Sequence, residues 1–168
     1  LLYPEKCQID LVKKGIRLMN IPDINERENL VLFLQNYTKV HQNQFNYIWK
    51  ELKLALTNAR HGIYTEYCID PIMSYLSHLM PSNTATFYFK YLSQILFSHL
   101  LPLFHNEHLL LYFTKLSNLI IQITKQNYND QLNVIQYLLK YFPIQCGQKQ
   151  PLFVSVLISI TSTMQSDQ

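Results

Sequence analysis

Apolar residues recur along the chain at the three- and four-residue intervals of an α-helix face, and no convincing period-two alternation interrupts them. Leu11, Val12, Ile16 and Met19 form the stripe of a first helix that ends near Asn20. Asp23 with Glu26 three residues on has the spacing of a capping box, and the helix it opens carries Leu30, Leu32, Phe33, Leu34 and Tyr37. A polar break over 41–43 leads to a helix with Phe45, Ile48, Trp49, Leu52 and Leu56, which stops at His61-Gly62. From Ile63 a further stretch runs to Leu79. Within it Pro71 either kinks the helix or opens a new one capped by Asp70. Pro81-Ser82-Asn83 marks a stop and restart, and Phe87 to Leu103 reads as the next helix, with Pro102 in its last turn. Asn106 is placed to cap a helix running to about Lys125. Asn127 to Asp130 reads as a polar turn, and the helix after it ends at Pro143. A loop bearing Gly147 precedes a last helix from about Pro151 to Met164.

Helices therefore start near 25, 63, 106 and 149, with partners near 43, 84 and 129. Each pair takes roughly 40 residues, the period of HEAT and armadillo repeats. Short connections make successive helices antiparallel, and pairs that cannot bury their apolar face alone must stack. The fold class expected is all-α, a HEAT/armadillo-like α-solenoid; a compact helical bundle is the competing architecture. Residues 1–168 read as one such domain of about four helix pairs, a portion of a longer solenoid. That last expectation rests on the Leu1-Leu2 start and on the final helix, where Leu152, Phe153, Val154, Val156, Leu157, Ile158 and Ile160 wrap most of the circumference.

Composition agrees with helices packed on helices. The 168 residues are 48% hydrophobic and 15% charged, with 12 Tyr and 9 Phe against 3 Gly. Few glycines remain for the tight turns of a Rossmann sheet or a β-sandwich. The net charge of +3 is small and the Lys and Arg are scattered, which excludes a phosphate-neutralising nucleic-acid patch. The 10-residue run 151–160 is too short to span a bilayer, so no membrane partner is expected. Cys7, Cys68 and Cys146 are odd in number and far apart; they read as buried thiols in a reducing compartment, cytoplasmic or nuclear.

Catalytic signatures are absent: no G-x-G-x-x-G, P-loop, G-x-S-x-G or H-E-x-x-H occurs. His105-Asn-Glu-His108 is the one metal-like cluster, and a helix cap with a first-turn acid explains it better. Glu26 and Glu28 beside Arg27 read as a solvated face with local ion pairs. The aromatic excess lacks the accompanying cations of a base-stacking surface. No catalytic residue, cofactor or metal is expected; the class left is a protein that binds proteins.

Five stretches in order refine this. Asp23-Ile-Asn-Glu-Arg-Glu-Asn-Leu30 resembles the D-P-R-E-R-D-x-L helix start of the B-prime (fifty-six-kilodalton B subunit) family of protein phosphatase 2A regulatory subunits. Tyr47-Ile48 falls where that family has Y-I, His61-Gly62-Ile63 is similar to its H-N-G-I, and Leu100-Leu-Pro-Leu103 with His105 resembles L-L-P-L-H. Val134-Ile-Gln-Tyr-Leu-Leu-Lys-Tyr-Phe-Pro143 is the best match, against V-x-x-L-L-K-Y-W-P. The resemblance spans roughly residues 5 to 160 and a middle portion of a longer family solenoid. It implies a regulatory subunit that docks on scaffold and catalytic phosphatase subunits and recruits substrate proteins through short linear motifs. It also implies that the hydrolytic metals belong to the catalytic subunit. An unrelated α-solenoid scaffold or adaptor without a phosphatase partner is the alternative.

Family members bind Leu-x-x-Ile-x-Glu peptides in a groove built from a His-Arg pair, a Tyr, two Arg four residues apart, and apolar residues. The resemblance places Gln35, Asn36 and Thr38 (or Tyr37, one residue earlier), then Phe45 and Trp49 in place of the two arginines, and Ile69 and Met73 at these positions. The cations that receive the acidic end of the peptide are missing, with Lys90 the nearest candidate. Charge-assisted bonds to carboxylates are worth about 1.5–3 kcal/mol each, so an altered specificity is expected. A more apolar ligand anchored by Phe45 and Trp49 is one reading. Packing of both rings between repeats is the plainer one.

Overall fold

The computed structural model of the chain describes residues 3–80 and 85–166. These form eight α-helices and no strand: α1 Tyr3–Leu18, α2 Ile24–Val40, α3 Phe45–Arg60, α4 Ile69–Leu79, α5 Ala85–Ile95, α6 Leu109–Thr124, α7 Tyr128–Lys140 and α8 Gln150–Ser166. The even-numbered helices α2, α4, α6 and α8 pack side by side in one row. Across from them α1 packs on α3, α3 on the segment that continues α5, and α7 against α6 and α8. The core runs as one seam between the rows, through Leu34, Leu52, Ile72, Leu76, Leu92, Leu116, Ile120, Phe153 and Ile160, all buried. This is the stacked helix-pair architecture of an α-solenoid.

The repeat period can be read from polar contacts as well. Asn20 Oδ1 accepts from both the backbone N–H and the hydroxyl of Thr65, Tyr91 donates to Asn46 Oδ1, and Lys115 donates to Asp70. Each of these pairs lies 45 residues apart. Lys149 reaches the His105 carbonyl across 44 residues, and Thr57 meets His99 across 42. Equivalent positions of neighbouring helix pairs are thus joined one repeat apart.

Local chemistry sets the boundaries. Asp23 caps α2 by accepting from the Glu26 N–H at 3.1 Å. Arg27 does not pair with its flanking glutamates; it donates to the Tyr67 carbonyl at 2.9 Å and lies over the Tyr67 ring. At the end of α3, Gly62 takes φ 70°. Gly62 N–H then reaches Ala59 O, and Ile63 N–H reaches Asn58 O, the two bonds of a Schellman stop that only glycine adopts cheaply.

Several boundaries differ from the pattern-based expectation. The stretch from Ile63 is a loop and a 3-10 turn, Glu66–Cys68, before α4 begins. Pro71 sits in the first turn of α4, where a missing N–H leaves no bond unmade, and Asp70 pairs with Lys115 at 2.7 Å instead of capping. The 87–103 helix breaks: α5 ends at Ile95, a π turn spans Leu96–Leu100 and a 3-10 turn spans Leu101–His105. Pro102 cannot donate to the preceding turn, and Leu101 N–H instead closes the wider ring to Leu96 O. Finally, α6 starts at Leu109, because the Asn106 side chain accepts from His108 N–H and holds a preceding turn. Residues 127–130 are not a polar turn: Asn127 caps α7 through the Asn129 N–H, so Tyr128 already opens the helix. The stop at Pro81-Ser82-Asn83 lies outside the described residues.

Cys68 is buried, whereas Cys146 is half-buried, not buried as its sequence reading has it; the Cys7 side chain lies outside the described set. On α8, Phe153, Val156 and Ile160 are buried, while Val154 and Ile158 stand exposed.

Candidate functional site

Where α2 ends, the chain turns through a 3-10 segment, Gln42–Gln44, into α3. The ends of α4 and α5 face that turn. Gln35, Thr38 and Lys39 of α2, Gln42, His78 and Leu79 of α4, and Tyr88 of α5 enclose an open cavity of about 200 Å³. Gln42 also borders a shallower trough of about 350 Å³ lined by Asn43, Phe45, Asn46, Phe87 and Tyr91. The two form one groove across the α2–α3 turn.

The groove is floored by aromatic rings. Phe45 stacks on Trp49, with ring centroids 5.9 Å apart, and meets Tyr88 at 4.8 Å and Tyr91 at 5.0 Å, both edge to face. Phe45 is only 1% exposed and Trp49 4%. This aromatic cluster fastens α3 to α5. The Trp49 indole N–H is buried without a hydrogen-bond partner. Ile69 and Met73, earlier on α4 than the His78 and Leu79 that reach the groove, are fully buried core residues. Thr38 is buried and bonds twice, to the Leu34 carbonyl at 2.7 Å and the Tyr75 hydroxyl at 2.6 Å.

Of the positions singled out in the sequence, Gln35, Thr38 and Phe45 thus border the groove and Trp49 packs behind Phe45, whereas Ile69 and Met73 lie in the core further back along α4, Ile69 at the end away from the groove. Asn36 faces outward. Tyr37 is half-buried, with its hydroxyl on the Gln44 amide oxygen and its ring on His41. Lys90 is exposed and lines neither part of the groove.

Lys39, Gln42, His78 and Tyr88 complete the site without having been singled out. Gln35 and Lys39 sit at i and i+4 on one face of α2, the signal a sequence reading had available, while Gln42 follows in the 3-10 turn after the helix ends.

Electrostatically the groove is amide-rich and weakly cationic, with no carboxylate among its lining residues. Burial, and then the neighbouring Lys39, hold the His78 imidazole below its usual pKa, so it is neutral at physiological pH. Burial raises the Tyr88 phenol and keeps it protonated. Gln35, Gln42, Asn43 and Asn46 line the groove with side-chain amides, of which Asn46 Oδ1 already accepts from Tyr91 and Gln42 bonds the Tyr88 phenol, and Phe87 and Tyr91, backed by Phe45, form an apolar wall. Lys39 is the single permanent cation.

His105 and His108, the metal-like pair, diverge. His105 meets the Tyr137 hydroxyl at 3.4 Å, while His108 faces Glu66 at 3.8 Å. Among the described residues no three His, Cys, Asp or Glu side chains converge as metal ligands. No helix among them is long and apolar enough to cross a membrane.

Compared with known families, residues 2–168 match the family described as protein phosphatase 2A regulatory B subunit (B56 family). No curated protein gives a significant match to the chain.

Proposed function

The chain belongs to the B56 family of protein phosphatase 2A regulatory B subunits, and from that premise we propose that it is a targeting subunit of a phosphatase 2A holoenzyme. It joins a scaffold and a catalytic subunit and brings substrate proteins to them. The family match over 2–168 is the observation that carries this reading. The work is done by binding, with the hydrolytic chemistry supplied by the catalytic partner. Two free thiols, Cys68 and Cys146, favour a reducing compartment, cytoplasmic or nuclear.

Substrate choice follows from the groove. Gln35, Gln42, Asn43 and Asn46 hold an extended segment by its main chain, and the Phe45–Phe87–Tyr91 wall takes an apolar side chain. One cation, Lys39, in a groove of neutral amides gives a weak grip on an acidic end. The Leu-x-x-Ile-x-Glu class that the resemblance implies therefore loses its advantage over the same peptide ending in Gln.

Displacement tests the assembly: a labelled member of the family is bound to a scaffold–catalytic dimer, and this chain is titrated in. Progressive release of the label is expected. No release at saturating concentrations, with an unlabelled family member displacing normally, refutes the phosphatase reading and leaves a solenoid adaptor of another kind. In the peptide arm, the Glu and Gln forms should bind within about threefold of each other, since a charge-assisted bond of about 1.5–3 kcal/mol would separate them by more than tenfold.

A further inference from the structure

Three segments far apart in sequence, 53–61, 97–106 and 137–150, carry no Asp or Glu at all. They carry Lys53, Arg60, His61, His99, His105, Lys140 and Lys149. The fold brings them to one edge. Lys53, Thr57 and Arg60 share a face of α3 at i, i+4 and i+7, and Thr57 meets His99 Nε2 at 3.3 Å. His105 then touches Tyr137 at 3.4 Å and meets the Tyr141 ring edge to face, and Lys140 lies over that ring at 5.2 Å. Lys149 donates to the His105 and Asn106 carbonyls at 3.1 and 2.9 Å.

Among the described residues, none of Lys53, Arg60, Lys140 and Lys149 forms an ion pair. Arg60 and Lys140 each stand in the last turn of a helix, where a cation suits the dipole. That accounts for two of the four. Lys149 is accounted for by the two carbonyls it caps, and Lys53, mid-helix, has no such reason. The field of these cations is felt at the histidines. Burial holds His99 and His105 below their usual pKa, and Lys53 and Arg60 depress the first further, as Lys149 and Arg60 do the second.

We propose that this cation-rich edge, from Lys53 and Arg60 past His99 and His105 to Lys149 and Lys140, bordered beside Lys149 by Glu107, is a second docking surface that takes an acidic, Glu- or Asp-rich segment of a protein partner. Four permanent cations suit a short carboxylate run. They are too few to give a nucleic acid useful affinity at physiological salt. The surface lies apart from the amide-lined groove, and the inference does not depend on phosphatase assembly.

Fluorescence anisotropy tests it with the chain alone. The probe is a labelled peptide alternating Glu and Gly, compared with its Gln–Gly counterpart and with a single-stranded oligonucleotide of equal charge. The Glu peptide should bind and weaken as salt rises. The K53E/R60E variant should lose roughly tenfold or more in affinity, while K14E/K125E, which reverses two exposed lysines elsewhere, should lose far less. R60Q, a milder change of an exposed side chain, should weaken binding measurably even if the double variant is poorly folded. Equal binding of the Gln–Gly peptide overturns the proposal. So does unchanged affinity in R60Q, or tighter binding of the oligonucleotide than of the Glu peptide.

Discussion

Thr38 borders the groove with Tyr75 packed behind it, and their hydroxyls are 2.6 Å apart in a buried setting. Thr38 also sits 2.7 Å from the Leu34 carbonyl, one turn back. A carbonyl cannot donate, so the one Thr38 proton goes there and Tyr75 must be the donor to Thr38 Oγ1. The two deletions then differ. Tyr75→Phe removes a donor and strands nothing, because Thr38 keeps its bond to Leu34; a neutral hydrogen bond of about 1 kcal/mol is lost. Thr38→Val removes the acceptor and leaves the Tyr75 hydroxyl, 0% exposed, with an unspent proton, a penalty of about 1–3 kcal/mol on top of the lost bond. In T38V/Y75F no polar group is stranded, so the double variant should be no less stable than T38V alone. Urea unfolding followed by far-ultraviolet circular dichroism supplies all three free energies, with unchanged m values as the check on comparability. The reasoning is refuted if Y75F costs as much as T38V, or if the two costs simply add.

Other consequences are simpler to read. Because burial, with nearby cations, lowers the pKa of folded His78, His99 and His105 below their unfolded values, the unfolded chain takes up more protons as pH falls through about 6.5. The melting temperature should therefore drop between about pH 7.5 and 5.5, less steeply in H99N; a rise on acidification contradicts the account. Burial pushes the Cys68 thiol up to about 12, so a thiol reagent should label Cys146 in the native protein and reach Cys68 only after unfolding, with peptide mapping as the readout. Gly62→Ala should cost about 1 kcal/mol, because its φ of 70° disfavours any Cβ although space is open. Gly147→Ala, equally open but without a positive φ, should change stability little, as thermal melts of the pair would reveal.

The stacking of helix pairs was legible because it follows from spacing alone: breaks near every 40 residues admit little else. The Asp23 cap was legible too, since its oxygen needs only a donor three residues on. Where the reading failed, a residue had a better partner out of sequence view. Asp70 looked like a cap until Lys115, 45 residues later, took its carboxylate. The π turn before Pro102 arises from a missing donor that the hydrophobic pattern does not register. At the groove, alignment with the family located Gln35, Thr38 and Phe45, but could not separate wall from core. Trp49, Ile69 and Met73 are buried because α3 and α4 turn those faces inward. Lys90, the cation the sequence suggests, stands away from the groove, whereas Lys39, next to Thr38, lines it because the end of α2 turns toward α4 and α5.

Assembly with the phosphatase core is the central functional claim, independent of the cationic edge. Sedimentation velocity of the chain mixed with a purified scaffold–catalytic dimer measures it directly. The account predicts a single faster boundary whose mass equals one copy of each of the three polypeptides. Two boundaries, one at the mass of the dimer and one at 20.0 kDa, would contradict it.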